Sequence, residues 1–326
     1  MIVVTGGAGF IGYNLVLKLK ELGHYNIVVI DNRLENKMFN LASGVQYMTV
    51  EDSYLWLEYN RYDIDVIYHL GARTNTMEKD EKIFEHLNLN YSKLIWNFCT
   101  DYDIPLIYAS SAATYGDGED GFDDDKPIFD LKPLNLYGKS KQEFDMYVVD
   151  ESMGGLFNGT QFTPPFWTGL KFFNVYGNHE QHKGAMASVV WHFYNQIKET
   201  GAVKLFRSHQ DWCEDGEQKR DFIYVDDVVN TMIWLYDFKK NVPSTIYNLG
   251  TGVARTYNDL AKGIFKTLGK QENISYIDTP EEIRDSYQYH TCAKINKLAH
   301  QMLWGGFKSL EEGIDLYMKQ LENENR

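Results

Sequence analysis

A tyrosine and a lysine that would share one face of a helix are candidates for acid/base chemistry in this sequence. The stretch LNLYGKSKQEF places Tyr137 and Lys141 four residues apart, so on a helix both side chains reach one substrate atom. A tyrosine hydroxyl is a poor base at neutral pH, because its usual pKa is about 10. A neighbouring ammonium stabilises the phenolate and makes the pair a usable acid/base.

A serine distinguishes this pair from a second copy of the same spacing. Ser111 lies in IYASSAATYG, at the predicted end of an apolar strand, and ligands of open α/β sheets bind at the carboxyl ends of strands. We therefore expect Ser111 to hydrogen-bond the substrate oxygen that Tyr137 serves. The stretch TMIWLYDFKK also contains Y-x-x-x-K, through Tyr236 and Lys240, but this apolar helix is interpreted as core packing.

The glycine-rich stretch GGAGFIG at residues 6–12 predicts a dinucleotide site. It follows an apolar strand and enters an amphipathic helix, as a G-x-G-x-x-G fingerprint requires. Gly6, Gly9 and Gly12 permit a tight turn and let the backbone approach a pyrophosphate, which the helix N-terminus stabilises. Asp31, at the end of the second predicted strand, stands where an acidic residue meets the adenosine ribose.

The charges that follow Asp31 bear on which nicotinamide nucleotide binds. A carboxylate repels the 2′-phosphate of NADP and by itself favours NAD. Arg33 and Lys37, in DNRLENK, are able to neutralise that phosphate. The cations favour NADP as the cofactor, and NAD remains the alternative.

Alternating apolar runs and helical stretches supply the framework for these residues. MIVVT, YNIVVID, IDVIYHLGA and IPLIYASS read as buried strands, with helices over FIGYNLVLKLKELG and near 80–101. The pattern predicts an α/β fold, a doubly wound parallel sheet of Rossmann type with a smaller α/β substrate-binding lobe. We expect residues 1–174 to form mainly the nucleotide-binding domain and residues 175–326 mainly the lobe, with segments near 220–255 returning to the large domain.

Two segments are predicted to be irregular. GDGEDGFDDDKP, at 116–127, is interpreted as an acidic surface loop; its spacing faintly resembles a calcium loop, but Ile128 stands where the twelfth-position ligand belongs. Residues 151–168 are interpreted as an irregular insertion. No metal site is expected.

Composition and charge exclude several classes of protein. The chain has 326 residues and a formal charge of -14, so the phosphate backbone of nucleic acids would be repelled. Three scattered cysteines without a C-x-x-C motif fit a reducing compartment, and the sequence contains no stretch typical of a signal peptide or a membrane span. We expect a cytoplasmic protein without nucleic-acid or membrane partners.

The motifs together resemble those of a known superfamily. TGGAGFIG, HLGA, SSAATYG and YGKSK are similar to the motifs of extended short-chain dehydrogenase/reductases. YASSAATYG, FFNVYG, HKGAMASV, KRDFIYVDDV and YNLGTG narrow the resemblance to the ADP-L-glycero-D-manno-heptose 6-epimerases, over nearly the whole length. The resemblance implies an isomerase of lipopolysaccharide core biosynthesis, a homo-oligomer that inverts C6 of ADP-D-glycero-D-manno-heptose by transient oxidation with bound NADP.

The resemblance also implies roles for individual residues. A ketone oxygen that occupies two positions during inversion needs two proton donors or acceptors, and in the family these correspond to Tyr137 and to Lys183 of HKGAMAS. Lys141 would tune Tyr137 and orient the nicotinamide ribose, and Ser111 would bind substrate. The implied cofactor contacts, besides Tyr137 and Lys141, are Phe10, Ile11, Asp31, Asn32, Lys37, Leu70, Gly71, Ala72, Asn88 and Val175. The implied substrate contacts are Asn174, Ala185, His192, Phe206, Arg220 and Tyr287, with Arg220 facing the diphosphate.

Departures from the family pattern keep an alternative open. The stretch LFRSHQDWCEDGEQKRDF is longer than its family equivalent and carries Arg207 and His209 where the family has small or acidic residues. The alternative is a 4-epimerase-like enzyme, or another epimerase, that acts on a different nucleotide sugar. A dehydratase is disfavoured because the residues after Ser111 include no acidic pair. A net dehydrogenase would release its cofactor at each turnover, whereas an epimerase regenerates it in place.

Overall fold

The chain divides into two compact units. The computed structural model describes residues 1–32, 44–154, 162–284, 287–301 and 306–324. Arg33 and Lys37, the cations that favour NADP, lie outside the described residues. The first unit comprises Met1–Gly116, Lys126–Lys171 and Val229–Tyr247, and the second comprises Asp117–Asp125, Phe172–Val228 and Asn248–Arg326.

The strands of the described ranges form a large sheet and two small ones. They are β1 (Ile2–Thr5), β2 (Ile27–Ile30), β3 (Gln46–Met48), β4 (Val66–His69), β5 (Leu106–Ser111), β6 (Trp167–Phe172), β7 (Asn174–Tyr176), β8 (Val203–Phe206), β9 (Lys219–Tyr224), β10 (Thr245–Leu249), β11 (Ala254–Thr256) and β12 (Ile274–Ile277). The large sheet belongs to the first unit and has the order β10-β6-β5-β4-β1-β2-β3. Strand β1 pairs in parallel with β2 and β4, and β4 pairs in parallel with β5. Because β1, β2 and β4 are buried along their whole length, both faces of the sheet are covered, as a parallel sheet requires.

The helices confirm the predicted doubly wound α/β fold. They are α1 (Phe10–Glu21), α2 (Val50–Asn60), α3 (Glu81–Phe84), α4 (Tyr91–Asp101), α5 (Leu136–Ser152), α6 (Val189–Thr200), α7 (Val225–Asp237), α8 (Tyr257–Thr267), α9 (Glu281–Arg284), α10 (Asn296–Ala299) and α11 (Leu310–Glu324). A π-helical stretch, Glu85–Asn90, joins α3 to α4, so the helix predicted near 80–101 is continuous from 81 to 101. Stretches of this kind occur often at functional sites, because the widened turn redirects the side chains that it carries. Within the described ranges, no helix combines the length and apolar character needed to cross a bilayer.

The core of the first unit fixes α5 against the sheet. Phe144 and Val148 of α5 are buried with Tyr108 of β5, and the rings of Phe144 and Tyr108 meet edge to face with centroids 4.9 Å apart. Trp96 of α4 and Trp167 of β6 add a second edge-to-face pair at 5.4 Å. This packing determines how the residues at the start of α5 lie relative to the end of β5.

The second unit has its own core beneath two small sheets. One sheet has the order β11-β9-β7 and the other consists of β12 and β8. Apolar faces of α6, α8 and α11 pack together; the buried residues include Val190, Ile197, Ile264, Phe265 and Ile314. Thr256 begins α8 with a capping box, in which its hydroxyl accepts from the Asp259 amide while the Asp259 carboxylate accepts from the Thr256 amide.

The structure corrects the boundaries of one of the two segments predicted to be irregular and leaves the other, 116–127, without helix or strand. Within 151–168, α5 continues to Ser152 and β6 begins at Trp167, because Trp167 and the residue before it, Phe166, are buried apolar side chains. Within 116–127, Phe122 is buried, and its carbonyl accepts a 2.8 Å hydrogen bond from the Asn248 side chain. An apolar anchor therefore attaches the acidic loop to the second unit.

We predict that replacing Gly313 with alanine destabilises the second unit. At an exposed position in a helix, replacing glycine with alanine increases the free energy of unfolding by about 1 kcal/mol. Gly313 is buried in α11, however, and a Cβ there would overlap the phenol oxygen of Tyr176. Overpacking of this kind costs roughly 1–3 kcal/mol, so urea denaturation should show a lower free energy of unfolding for Gly313→Ala.

The double variant Gly313→Ala/Tyr176→Phe tests the cause. It removes the phenol oxygen that the new methyl would overlap, and it should recover part of the lost stability, because the nearest ring carbon would still lie 2.9 Å from that methyl. A Gly313→Ala variant as stable as the wild type would contradict this account of the packing.

Candidate active site

Two glycines make the turn after β1 possible. Gly6 has a φ of +69°, a conformation that residues with a side chain rarely adopt. A Cβ on Gly6 would lie 2.5 Å from the amide nitrogen of Gly71, and one on Gly12 would overlap the Gly6 carbonyl. The glycine loop is thus compressed against the segment that follows β4, and the two predicted cofactor segments lie side by side.

The entry to α1 fits the pyrophosphate of a dinucleotide. Helix α1 begins at Phe10, which is buried, followed by half-exposed Ile11. Gly9 is the N-cap, and no side chain caps the first amides, so these amides and the helix dipole are directed at an approaching anion. Asp31 accepts a 3.1 Å hydrogen bond from the Ala8 amide, which ties the end of β2 to the glycine loop. The loop and Asp31 are thus joined at the carboxyl ends of β1 and β2.

Residues near β4 complete this side of the first unit. Leu70, Gly71 and Ala72 follow β4, and the Gly71 amide donates to the Thr5 hydroxyl at 3.2 Å. Asn88, on the π-helical stretch, accepts from the Arg73 amide at 2.7 Å and donates to the Arg73 carbonyl at 3.0 Å. Asn88 therefore holds the segment after β4 in place.

Three predicted cofactor contacts remain: Asn32, Val175 and Lys37. The side-chain oxygen of Asn32 accepts from the Val50 amide at 3.1 Å, at the start of α2. Val175 lies in β7 of the second unit, where it pairs with Ile223 of β9. Lys37 is the contact outside the described residues.

His69 at the end of β4 is a site residue that sequence reasoning missed. Its Nδ1 lies 2.7 Å from the Thr5 hydroxyl and its Nε2 lies 2.9 Å from the Ser92 hydroxyl. Burial, followed by the positive charge of Lys141, lowers the pKa of His69 to about 3. A neutral imidazole therefore connects the glycine-loop strand to α4. Its position at the end of a buried strand, in HLGA, was the available indication.

The predicted acid/base group assembles where β5 ends and α5 begins. Asn135 caps α5 by accepting from the Gly138 amide at 2.8 Å, which places Tyr137 in the first turn. The Tyr137 phenol hydrogen-bonds Ser111, whose hydroxyl also accepts from the Ala113 amide at 3.1 Å. Lys141 is only 4% exposed. The structure thus brings Ser111, Tyr137 and Lys141 together.

Burial sets the proton affinities of this group. It raises the pKa of Tyr137, an effect that the Ser111 hydrogen bond opposes and the negative charge of Asp145 reinforces. Burial also lowers the pKa of Lys141 to about 8, against the pull of Asp145. Lys141 donates to the Ala109 carbonyl at 2.9 Å and still carries its charge at neutral pH, where it favours the Tyr137 phenolate.

Lys183 lies on a tightly closed loop of the second unit. The loop forms a 3-10 turn over Gln181–Met186, and Gly184 reverses the chain with a φ of 55°. Glu180 is fully buried and accepts from the Gly177 amide at 3.2 Å and from the Ser188 hydroxyl at 2.7 Å. This clamp, which sequence reasoning missed, holds the backbone on both sides of half-buried Lys183.

The predicted substrate contacts of the second unit fall into two groups. His192 of α6 reaches back to the Ala185 carbonyl at 3.3 Å, and Asn174 accepts from the Thr291 hydroxyl at 3.3 Å. The second group is aromatic: the rings of Phe206 and Tyr287 meet edge to face at 6.2 Å.

Arg220 belongs to the aromatic group. Its side chain is largely buried, and its guanidinium lies 5.4 Å from the ring centroid of Tyr287 and 5.6 Å from that of Tyr257. Tyr289 and Trp212 extend the row, with ring centroids 5.2 Å apart. Sequence reasoning predicted Tyr287 but missed Tyr257, Tyr289 and Trp212. Aromatic residues make up 15% of the chain, so no single one stands out.

The fold and these side chains define a nicotinamide-dependent enzyme of the short-chain dehydrogenase/reductase type. Residues 2–250 match the model of the NAD dependent epimerase/dehydratase family. Within that family, the chain belongs to the ADP-L-glycero-D-manno-heptose-6-epimerases.

Relatives of that name match nearly the whole chain. The ADP-L-glycero-D-manno-heptose-6-epimerase of Fusobacterium nucleatum subsp. nucleatum is 43% identical, covering 98% of this chain and 97% of the relative. The enzyme of that name from Nitratidesulfovibrio vulgaris is 41% identical, with coverage of 98% and 97%. The crystal structure of the Helicobacter pylori ADP-L-glycero-D-manno-heptose-6-epimerase has a TM-score of 0.78 at 26% identity, covering 98% of this chain and 96% of that one.

We predict that Gly6→Ala abolishes nucleotide binding and lowers stability. Both the left-handed backbone and the contact with Gly71 oppose the new methyl. Gly23→Ala is a matched control, since Gly23 also has a positive φ, +89°, but a Cβ there meets nothing within 4 Å. Gly23→Ala should cost about 1–2 kcal/mol of unfolding free energy and leave bound nucleotide unchanged. Equal losses in the two variants would refute a specific role for the close approach.

Proposed function

We propose that this chain inverts C6 of ADP-D-glycero-D-manno-heptose to give ADP-L-glycero-D-manno-heptose. The observation that carries the proposal is that Ser111, at the end of β5, lies together with Tyr137 and Lys141 of α5, in a chain 43% identical to an enzyme named for this epimerisation. A 4-epimerase-like activity on another nucleotide sugar is disfavoured, because relatives at 43% and 41% identity carry the heptose epimerase name.

The glycine loop and Asp31 would hold the nicotinamide nucleotide. The α1 terminus would take the pyrophosphate, and Lys141 the nicotinamide ribose. When bound, the nicotinamide supplies a hydride acceptor and, on return, a hydride donor. The two cations of DNRLENK support NADP over NAD, because they would offset the repulsion between Asp31 and a 2′-phosphate.

Tyr137 serves the first position of the reacting oxygen. As a phenolate it would take the proton of the C6 hydroxyl as the C6–H hydride leaves, and it would give that proton back only when the reaction runs in reverse. Ser111 donates a hydrogen bond to the same oxygen, and the Lys141 charge stabilises the phenolate.

Lys183 serves the second position of that oxygen. Once the ketone intermediate has rotated within the site, its oxygen occupies the second position. A second group must then supply the proton that converts this oxygen to a hydroxyl. The Glu180 clamp supports this role, because it accepts from the Gly177 and Ser188 amides and so fixes the backbone on either side of Lys183.

The aromatic group of the second unit binds the nucleotide part of the substrate in this proposal. Arg220 would contact the diphosphate, with Phe206 and Tyr287 packing beside the nucleoside. Asn174, Ala185 and His192 would contact the sugar. Arg207 is the first residue after β8, and its carbonyl accepts from the Thr279 hydroxyl at 3.1 Å. This hydrogen bond anchors the longer 207–217 segment beside the aromatic group.

The biological setting follows from the same resemblance. We propose a homo-oligomer in the cytoplasm that supplies a precursor for lipopolysaccharide core synthesis. The scattered cysteines, of which Cys99 is buried, are consistent with a reducing compartment.

Proton NMR of ADP-D-glycero-D-manno-heptose incubated with the purified protein, without added cofactor, tests the proposed reaction. Appearance of the L-glycero epimer is expected, because the nucleotide is regenerated in place. Acid release of the bound nucleotide, followed by chromatography, should yield NADP. An unchanged spectrum from a preparation that holds nucleotide would overturn the proposed substrate.

We predict that Tyr137→Phe and Lys183→Met each reduce turnover by about 10²-fold or more, the scale of a lost acid/base. Tyr236→Phe is the matched control, because Tyr236 begins the chain's other Y-x-x-x-K. Tyr236 donates its hydroxyl to the Asp65 carbonyl at 3.3 Å, away from Ser111 in the sheet, and its loss should leave turnover unchanged. Near-normal turnover in either of the first two variants would exclude that residue as an acid/base.

A further inference from the structure

A buried ion pair lies beneath the proposed acid/base group, and the proposed mechanism uses neither partner. Lys171 of β6 and Asp145 of α5 approach to 2.9 Å, with side chains 2% and 0% exposed. Ion pairs are seldom buried so completely, since two charges lose their hydration. Replacing a buried ion pair with apolar residues of similar volume is often neutral or stabilising in proteins. The pair therefore calls for a reason other than stability.

The pair connects the elements that carry the proposed active site. The Asp145 carboxylate accepts from the Tyr108 hydroxyl at 3.0 Å and from the Ser110 hydroxyl at 2.6 Å, both on β5. Lys171 donates to the Thr114 hydroxyl at 2.6 Å. Thr114 in turn donates to the Ser111 carbonyl at 2.9 Å. A single polar network thus joins the Ser110 side chain and the Ser111 carbonyl at the end of β5.

The position of Asp145 on α5 directs its charge toward the proposed catalytic groups. Tyr137, Lys141 and Asp145 follow one another at intervals of four residues, so their side chains share one face of the helix. The Asp145 charge raises the pKa of both Tyr137 and Lys141. Lys171 carries the compensating charge, and its ammonium also lies 5.0 Å from the ring centroid of Tyr115.

We propose that Lys171 and Asp145 are a positioning pair, which holds β5 and α5 in register and sets the pH range over which Tyr137 and Lys141 transfer protons. This inference rests on the proposed function. With both charges present, Lys171 offsets part of the Asp145 charge, whereas loss of one partner leaves the other buried charge uncompensated.

The other charged groups around α5 do not duplicate this balance. His69 faces Lys141 from β4, but its low pKa keeps it neutral above about pH 3. Lys139, on the exposed side of α5, is already paired with Glu81 of α3 and lies 3.8 Å from Glu143. Tyr108 is uncharged at neutral pH, because burial raises its pKa well above the usual value.

Opposite displacements of the pH profile are the expected result. Lys171→Met leaves Asp145 unbalanced, which raises the pKa of Tyr137, so the rise of kcat with pH should move up by about one pH unit. Asp145→Asn leaves Lys171 unbalanced, and the same rise should move down. The neutral double variant should return close to the wild-type profile, and Lys171→Arg, which keeps the charge, should resemble the wild type.

A pair with only a structural role would give a different pattern. Its loss would lower the melting temperature and kcat without displacing the profile. Profiles that stay in place in both single variants, or that move in the same direction, would overturn the proposal. Lys294→Met is the control, because Lys294 forms a 2.8 Å ion pair with Asp123 whose partners are 44% and 23% exposed; this variant should leave the profile unmoved.

A second measurement separates this inference from the proposed reaction. Phenolate absorbance is followed against pH for each variant and for the same variant carrying Tyr137→Phe, and the difference gives the titration of Tyr137. The midpoint should shift up in Lys171→Met and down in Asp145→Asn. This titration needs no substrate, so it decides the role of the pair even if the wild type fails to epimerise ADP-heptose.

Discussion

The packing of α5 against β5 is the constraint on which the proposed chemistry depends. Phe144 and Val148 bury one face of the helix against Tyr108 and its neighbours, and the Asn135 cap fixes where the helix begins. With the start and the rotation of α5 both determined, Tyr137 meets Ser111 and Lys141 is buried beneath them. Apolar packing in the first unit thus fixes the relative positions of these side chains as closely as proton transfer requires.

Burial has opposing effects on the two groups of this site. It makes the Tyr137 phenol a weaker acid and makes the Lys141 ammonium a stronger one, with a pKa of about 8. Lys141 is charged but has a pKa near neutral pH, and it lies beside a phenol that is a weak acid. This combination suits a reaction in which a proton is removed and added in each cycle. The buried Lys171 and Asp145 pair places a dipole close to these groups without adding net charge.

The second unit prepares its candidate residues by a different means. Lys183 is carried by a loop rather than a helix, and the loop is closed by Glu180, whose carboxylate binds the backbone and the hydroxyl around it. Arg220 is held between Tyr257 and Tyr287. Both devices immobilise a long cationic side chain or its backbone, which reduces the entropy lost when a polyanionic substrate binds.

The sequence by itself determined the doubly wound sheet, the glycine loop and the pairing of Tyr137 with Lys141, because each depends on a short-range pattern: a buried strand, a turn that tolerates no Cβ, or a spacing on one helix face. Only the tertiary structure decided the roles of His69, Asp145, Lys171 and Glu180. Their function comes from partners distant in the chain, as with Lys171 and Asp145, which are 26 residues apart yet form one buried ion pair. Hydrophobic periodicity predicts which residues are buried. The role of a buried charged residue, however, can be inferred only when its partner is known.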